Sequence, residues 1–321
     1  MDEKTGVSRR SVFRTAAAVG LGASAAPAAA WVAATTSREQ AHDEPAGGVQ
    51  PAASFPPVDP VSPTGRPFIW FEPHQDDGLL WAWKILTHHA LAGRQVHVVL
   101  ATDGSASRIR RVLNGDASNR YWGRHYPERE GYGHLTPMSP KAFAKARDRE
   151  LKAACGPLGI VPENLHLELN WRQPKIDVPR ARELITRYAD LYPDAGLCTM
   201  WWGDTDPCHS ALGTALRQLH LADPVRFGDC RWAVRRQQGP TAPGAVPYRI
   251  PPQFAATAHQ MAKNACLAYS SWAPGETEDD GMYAIGLHSV GSDLAAVKRG
   301  EPNWVVETAE PTPRELGADR T

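Results

Sequence analysis

Apolar positions along this chain fall into two alternating patterns, short continuous runs and runs with a helical period. The runs 68–71 (FIWF) and 95–102 (QVHVVLAT) are apolar and rich in aromatic or β-branched residues, which predicts two buried strands. Between them apolar residues recur with the spacing of one helical face, which predicts a helix over 78–92. The positions on that face are Leu79, Trp83, Leu86 and Ala90.

The same alternation continues along the rest of the chain. Helices are predicted over 141–155, 179–191, 209–221 and 252–269, and strands over 165–169, 196–202 and 231–236. Strands that alternate with helices form mostly parallel sheets covered by helices on both faces. The sequence therefore predicts an α/β, Rossmann-like domain followed by an irregular C-terminal extension.

The N-terminus has the features of an export signal. The paired Arg9 and Arg10 precede an alanine-rich apolar run that ends in a small-residue cleavage motif, the order of a twin-arginine signal peptide. That run is too short for a membrane span, so we expect a secreted protein with no membrane anchor. The predicted segments are a signal peptide at 1–30, a disordered leader at 31–64, the folded domain at 65–308 and a disordered tail at 309–321.

Composition excludes some classes of partner. The 35 basic residues balance 35 acidic ones, so no net charge favours binding to nucleic acid or to an anionic membrane. The five cysteines are an odd number and include no CxxC pair, which argues against a cysteine zinc cluster. The sequence gives no indication of an oligomeric state.

Acids and histidines collect in three loops that follow predicted strands, at 73–77, 103–107 and 203–209. Because the carboxyl ends of parallel strands meet at one edge of a sheet, we expect these loops to lie together where ligands bind. Their acids and histidines are His74, Asp76, Asp77, Asp103, Asp204, Asp206 and His209.

Two histidines and one carboxylate can hold a divalent metal and leave a position open for water. His74, Asp77 and His209 fit these ligands. Asp76, beside the ligands but not bound, fits a general base that takes a proton from the water. A plainer interpretation is open at this point: Asp76 or Asp77 caps the following helix, and His209 is a surface histidine.

Four short motifs resemble those of the PIG-L/LmbE-like zinc-dependent N-deacetylases. PHQDD at 73–77 is similar to their PHPDD motif, and TDGS at 102–105 is similar to their TDG loop. RDRE at 147–150 is similar to their RxxE helix, and DPCH at 206–209 stands where they carry HPDH. In order and spacing, the resemblance extends over 67–269.

The resemblance implies a site and a reaction. It implies zinc, or another divalent metal, on His74, Asp77 and His209, with Asp76 as the base. The implied reaction is hydrolysis of an N-acyl group, usually acetyl on an amino sugar or its conjugate.

Two positions depart from the family pattern. Gly78 replaces the usual acid after the aspartate pair, a change we expect to be tolerated, and Asp206 replaces the first histidine of HPDH. That histidine is thought to polarise the scissile carbonyl or protonate the leaving amine, and an ionised carboxylate cannot stabilise an oxyanion. We expect His288, in the C-terminal segment, to be the substitute catalytic residue. The alternative is a surface histidine on a turn.

The segment 107–131 is rich in arginine and aromatic residues and follows the second of the three loops. As a lid it would offer aromatic faces to a sugar ring and arginines to an acidic substituent. A loop that packs on its own domain is an equally good interpretation. The predicted substrate-binding residues are Asp103, Ser105, Arg108, Tyr121, Trp122 and Asp206.

These observations predict an exported metal-dependent hydrolase that removes an N-acyl group from a small-molecule or glycan substrate. One alternative is an amidase that acts on a non-sugar amide, and another is a binding module that lost turnover through Asp206. A non-haem iron oxygenase also uses two histidines and one carboxylate. Such oxygenases usually have an all-β fold, and the strand–helix alternation argues against one.

Overall fold

The computed structural model describes residues 66–119 and 123–307. Its central sheet has seven strands in the order β5-β2-β1-β6-β7-β11-β8. These strands are β1 (Phe68–Glu72), β2 (Val96–Leu100), β5 (Leu165–His166), β6 (Gly196–Met200), β7 (Cys230–Val234), β8 (Val246–Pro247) and β11 (Trp304–Val306). Two short hairpins pair β3 (Ser118–Asn119) with β4 (Gly123–Arg124), and β9 (Trp272–Ala273) with β10 (Met282–Tyr283).

The first five strands in that order run parallel, and β11 and β8 add an antiparallel edge. In register, Phe68 of β1 lies opposite Val96 of β2 on one side and Gly196 of β6 on the other. Strands that follow β1 in the chain are therefore added on both of its sides, first β2 on one side and later β6 on the other. This reversal of strand order places the topological switch point at the carboxyl ends of β1 and β6. Ligands bind at such points in open α/β sheets.

Eight α-helices cover the sheet within the described ranges. They are α1 (Asp77–Trp81), α2 (Trp83–Leu91), α3 (Ile109–Leu113), α4 (Pro140–Cys155), α5 (Val178–Leu191), α6 (Pro207–Ala222), α7 (Pro252–Ala268) and α8 (Ile285–Lys298). Short 3-10 helices occupy Gly133–Leu135, Gly156–Leu158 and Pro162–Asn164. The prediction of a mostly parallel α/β sheet with helices on both faces is confirmed.

Side chains of β1 alternate between the two halves of the core, as the pleat of a strand requires. Phe68 and Trp70 pack with α1, α2, α4 and α7 on one face. Ile69 and Phe71 pack with α5 and α6 on the other face. All five residues of β1 are buried, so the loop that follows it starts from a fixed position.

The helix predicted over 78–92 is interrupted at Ala82, and the structure supplies a reason. Asn303, which precedes β11, accepts a hydrogen bond from the Lys84 N–H (2.9 Å) and donates one to the Leu80 carbonyl (3.3 Å). These backbone groups lie on either side of the break, and buried backbone polar groups need partners. A side chain far along the sequence therefore stabilises the interruption.

The C-terminal extension is more regular than the sequence predicts, because it contains α8 and β11. The start of α8 at Ala284 has a left-handed backbone (φ 48°) and no cap from its own side chain. The buried carboxylate of Glu150 on α4 accepts from the N–H groups of Ile285 (2.6 Å) and Gly286 (3.1 Å) instead. β11 pairs with β7, which places Val305 opposite Ala233.

Two further observations concern the chain as a whole. All five cysteines lie in the described ranges, where each is buried and free. Among the helices of these ranges, none is long and apolar enough to cross a membrane.

Candidate active site

The loop between β1 and α1 is held by partners from three parts of the chain. Gln75 is buried and donates to the Asp103 carbonyl (2.9 Å) and to Asp148 Oδ1 (3.1 Å). The Thr102 hydroxyl donates to the Pro73 carbonyl (2.7 Å), and the Tyr269 hydroxyl donates to the Gln75 carbonyl. These contacts fix the backbone on which His74, Asp76 and Asp77 stand.

Three predicted metal ligands converge at the switch point. His74 Nδ1 lies 3.1 Å from Asp77 Oδ2 and 3.2 Å from His209 Nε2. His209 Nε2 lies 3.0 Å from the same Asp77 oxygen. The three atoms therefore form a nearly equilateral triangle, contributed by the loop after β1 and the first turn of α6.

This triangle fits a divalent cation. A tetrahedral ion with nitrogen and oxygen ligands at about 2.0–2.2 Å holds those ligands about 3.3–3.6 Å apart, slightly more than the observed separations. Two imidazole nitrogens and one carboxylate oxygen converge within 3.2 Å of one another, and a positive charge among them offsets the repulsion of their lone pairs. A proton on a histidine supplies that charge in the metal-free protein, and a divalent metal can supply it in its place.

The pKa shifts of the three residues also indicate that the triangle favours a positive charge. Burial lowers the pKa of His74, but hydrogen bonds to Asp77 and Cys208 outweigh it and raise the pKa to about 10. Burial likewise lowers the pKa of His209, and the Asp77 charge with hydrogen bonding to Asp204 raises it to about 9. Burial raises the pKa of Asp77, and the two histidines hold it well below its usual range.

His209 is oriented from behind by Asp204, a carboxylate in the loop after β6. His209 Nδ1 lies 3.2 Å from Asp204 Oδ2, and the Asp204 side chain is completely buried. When Nδ1–H donates to this carboxylate, Nε2 keeps its lone pair toward the triangle. A second carboxylate that fixes the imidazole tautomer is typical of metal-binding histidines.

Asp76 lies on the same loop but outside the triangle. Its Oδ1 accepts a hydrogen bond from Arg147 Nη2 at 3.0 Å, and the Asp76 and Arg147 side chains are both largely buried. Arg147 comes from the RDRE motif on α4, so that motif holds Asp76. This hydrogen bond orients the Asp76 carboxylate beside the triangle, and its role as the general base stays a prediction.

The glycine at position 78 is explained by an acid from another position. Gly78 N–H donates to Glu72 Oε1 (3.0 Å), and a Cβ added at Gly78 would lie 2.9 Å from Glu72 Oε2. Burial raises the pKa of Glu72 well above its ordinary value, and the hydrogen bond from Gly78 offsets part of that rise. Glu72 therefore places a carboxyl group beside this turn and occupies the space that a side chain at 78 would need.

Asp206 is the N-cap of α6. Its Oδ1 accepts from the N–H groups of Cys208 (2.9 Å) and His209 (3.3 Å), and Pro207 occupies the first helical position. This cap fixes the turn that carries His209. The side-chain cap is therefore found at Asp206, whereas Asp76, which precedes α1, makes no side-chain cap hydrogen bond.

A cavity of about 400 Å³ opens over the triangle. Of the predicted site residues, His74, Asp76, Asp77, Asp206 and His209 line it. In the second loop the lining residues are Gly104, Ala106 and Ser107, and the predicted Asp103, Ser105 and Arg108 are their neighbours in sequence but not part of the lining. Tyr121 and Trp122 lie outside the described residues, so the lid stays a prediction.

His288 is buried in α8, with its ring against another histidine. Its Nδ1 lies 2.6 Å from the Ala284 carbonyl, and its Nε2 lies 2.7 Å from His125 Nε2. His125 in turn contacts Glu130 through Nδ1 at 2.6 Å. Burial lowers the pKa of His288 to about 4. Its neighbours Ser289 and Val290 line the cavity, and the predicted catalytic role of His288 stays a prediction.

Three cations of the cavity were not among the predicted site residues: Arg147, described above, and Arg235 and Lys175. Arg235, just after β7, has its Nε 3.0 Å from Asp204 Oδ2 and its Nη2 3.3 Å from His209 Nδ1. Lys175 is exposed at the cavity mouth, in the loop before α5. Arg235 lies at the carboxyl end of a predicted strand, and this position was the one signal in the sequence that it could reach the site. Its charge did not distinguish it from other arginines.

The family model described as PIG-L, GlcNAc-PI de-N-acetylase, matches residues 69–220. That stretch runs from β1 to α6 and contains the whole triangle and Asp76. This chain carries a PIG-L family domain. By this match, residues 69–220 resemble a deacetylase-type hydrolase domain.

Solved structures of similar fold include two deacetylases and a hydratase. A deacetylase triple mutant of the teicoplanin biosynthetic pathway aligns at 14% identity and a TM-score of 0.45, over 77% of this chain and 100% of that one. N,N'-diacetylchitobiose deacetylase from Pyrococcus horikoshii aligns at 13% identity and a TM-score of 0.44, over 75% and 82%. The 4-carboxy-2-hydroxymuconate hydratase from Pseudomonas putida KT2440 aligns at 14% and 0.41, over 73% and 84%. Such distant likenesses carry no conclusion about activity, and the curated proteins include no match.

Proposed function

We propose that the protein is a metal-dependent N-deacetylase that hydrolyses an N-acetyl group on an amino sugar or its conjugate. The observation that carries this proposal is the triangle of His74, Asp77 and His209, with Asp76 beside it in one cavity. The PIG-L domain supports the reaction type, since its family is described by de-N-acetylation of a glucosamine lipid. The cavity volume of about 400 Å³ is in the range of sites for small molecules.

In this proposal the triangle holds one divalent ion, zinc or a similar metal. When bound, the ion supplies Lewis acidity and lowers the pKa of water. Asp204 keeps the lone pair of His209 Nε2 toward the ion. Asp77 supplies the carboxylate, and the backbone N–H of His74 donates to its Oδ2 (2.9 Å), which holds that oxygen in place.

Asp76 moves the proton. Arg147 occupies Oδ1, so Oδ2 is the oxygen that accepts a proton from the attacking water and later returns it to the departing amine. Arg235 lines the same cavity. When His209 Nδ1–H donates to Asp204, this nitrogen cannot accept a hydrogen bond from Arg235 Nη2. The Nη2 group of Arg235 is then directed to the cavity. Its charge is suited to the negative oxygen that develops on the amide carbon.

The experiment is a screen for acetate release by the purified protein across N-acetylated amino sugars, chito-oligosaccharides, glycolipid headgroups and simple acyl amides. We expect release from at least one N-acetylated sugar, its loss after chelation and its recovery on adding back zinc. The matched control is Asp77→Ala, which removes a ligand and should be inactive. Release only from non-sugar amides would favour the amidase alternative. Ligand binding without any turnover would contradict the proposal.

A further inference from the structure

A second group of metal-binding side chains lies in the same cavity. His74, Asp206 and Cys208 each offer one donor atom, and these atoms lie within 4.8 Å of one another. Cys208 is buried at 6% exposure and lines the cavity beside His74. The other four cysteines, all of them described, are absent from the cavity lining.

The local fold places these donors together. Asp206 uses Oδ1 to cap α6, and this leaves Oδ2, whose nearest cation is Arg235 Nη2 at 3.9 Å. Cys208 follows in the first turn of α6, where its backbone N–H donates to the same cap. The side chains at 206 and 208 therefore face the loop after β1, where His74 stands. The chain has DPCH where the resembled motif reads HPDH, so this thiol is a feature of this chain.

We propose that His74, Asp206 and Cys208 form a second cation position, selective for thiophilic divalent ions such as zinc, cadmium and cobalt. A tetrahedral ion holds nitrogen, oxygen and sulfur ligands about 3.3 to 3.6 Å apart. Side-chain rotations that move the three donor atoms by about 1 Å would bring them to this separation. Binding replaces the S–H bond of Cys208 with an S–metal bond and releases the proton to solvent. A thiolate ligand selects such ions over magnesium and calcium.

The two positions share His74, so one ion at a time holds its imidazole. An ion on the first set uses Asp77 and His209, and an ion on the second uses Asp206 and Cys208. The ratio of the two occupancies is therefore set by the relative affinities, and the thiolate shifts that ratio toward the second position for thiophilic ions and not for oxygen-preferring ones. The inference requires metal binding but no turnover, so it is tested without substrate and stands apart from any failure of the deacetylase proposal.

The test is a cobalt(II) titration of the metal-stripped full chain, followed by the thiolate-to-cobalt charge-transfer band in the near ultraviolet. We expect the band to appear at excess cobalt in the wild type and in His209→Ala, which dismantles only the first set. Cys208→Ser should abolish it. Cys230→Ser is the matched control, because Cys230 is a buried core residue at the opposite end of β7, where its Sγ donates to the Phe227 carbonyl.

A second measurement needs no variant. Cadmium should protect Cys208 from alkylation in the wild-type protein, as followed by mass spectrometry of its peptide, and magnesium should not. Absence of the band in wild type at excess cobalt, or its survival in Cys208→Ser, would overturn the proposal. Alkylation of Cys208 at the same rate with and without cadmium would overturn it as well.

Discussion

At the scale of single residues, Asp76 and Asp77 are neighbours with separate roles. Asp77 Oδ2 lies against both histidines, and Asp76 Oδ1 lies against Arg147. The backbone turn between them directs one carboxylate to the proposed metal and the other to the cavity wall. The position of each aspartate in the PHQDD motif, and not its side chain, therefore decides which partner it contacts.

Replacing Asp76 by asparagine should show whether Asp76 acts as the general base or as a metal ligand. Asparagine Oδ1 can still accept from Arg147, so the loop and the metal content should be unchanged. Acetate release should decrease by about a hundredfold or more, the usual scale for loss of a general base. Turnover and metal content are measured on the same preparation. Metal loss in Asp76→Asn with retention in Asp77→Asn would reverse the two roles.

His288 needs a measurement that distinguishes proton donation from positioning. Both ring nitrogens have partners within 2.7 Å, and burial lowers its pKa to about 4, so it is neutral at pH 7. We expect His288→Ala to lower turnover about tenfold to a hundredfold by displacing the Ser289–Val290 wall, with metal content unchanged. The alkaline limb of the pH–rate profile should not move.

The matched control for His288→Ala is His134→Ala, an exposed histidine whose loss should leave turnover unchanged. Disappearance of the alkaline limb in His288→Ala would instead establish the proton donor predicted from the sequence.

At the scale of elements, several termini and interruptions are stabilised by side chains from other elements. Asn303 stabilises the break between α1 and α2, Glu150 caps α8, and Glu72 binds the first turn of α1. Each partner carries a polar group into the buried interior, where an unpaired group would cost about 1–3 kcal/mol. These elements therefore depend on one another for their exact limits.

The contact between Glu72 and Gly78 predicts a non-additive pair of substitutions. Gly78→Glu alone should destabilise the fold by about 1–3 kcal/mol, because its Cβ meets the Glu72 carboxylate. Combining it with Glu72→Ala should recover part of that loss, since the new acid can occupy the vacated space. Urea unfolding of the single and double variants measures both terms. Equal losses in Gly78→Glu with and without Glu72→Ala would contradict this account.

The cap that Glu150 provides should make stability depend on pH. Burial raises its pKa from 4.5 to about 8, with the two backbone hydrogen bonds offsetting part of the rise. The folded protein therefore retains a proton that the unfolded chain releases, and this group's contribution is fully present below pH 4.5 and lost as the pH rises to 8. The unfolding free energy of wild type relative to Glu150→Gln should decrease over that interval.

Denaturant unfolding at several pH values measures the Glu150 effect. Glu163→Gln, at an exposed position, is the control and should show no trend relative to wild type. A constant difference between wild type and Glu150→Gln across the interval would contradict the cap's linkage to protonation.

At the scale of the whole molecule, the site depends on the order of strands in the sheet. Residues 74–77 and 204–209 are far apart in the chain, and they meet because β1 and β6 are adjacent and parallel. Two further sides of the cavity are formed by other elements. One side is α4, which carries Arg147, and the other consists of Arg235, just after β7, and of α8. The cavity is therefore lined by elements from most of the described chain.

Export is a property of the whole chain that the described residues do not include. We propose that Arg9 and Arg10 direct the protein to twin-arginine export, which carries folded proteins and is compatible with prior loading of a metal. Replacing both with lysine should trap precursor inside the cell, as measured by fractionation and immunoblot. Arg14→Lys, outside the pair, is the control and should be exported normally. Normal secretion of the double variant would indicate another route.

The sequence by itself determined the alternation of strands and helices and the four residues that converge at the candidate site. Hydrophobic periodicity is a local property, so the five parallel strands, α4 through α7 and the relation of their loops to one edge could be predicted from it, whereas β8 and β11 were not. The positions of His74, Asp76, Asp77 and His209 followed from motifs whose spacing is fixed by a strand–loop–helix turn.

Only the tertiary structure decided the features whose partners lie far apart in the chain. The break at Ala82, the start of α8 and the place of Glu72 beside Gly78 each depend on a buried polar contact, and two of these contacts span more than a hundred residues. The cavity position of Arg235 and the enclosure of His288 by His125 likewise depend on packing. Local pattern carries no trace of such contacts, because the need for a hydrogen-bond partner in the interior can be met from any point in the sequence.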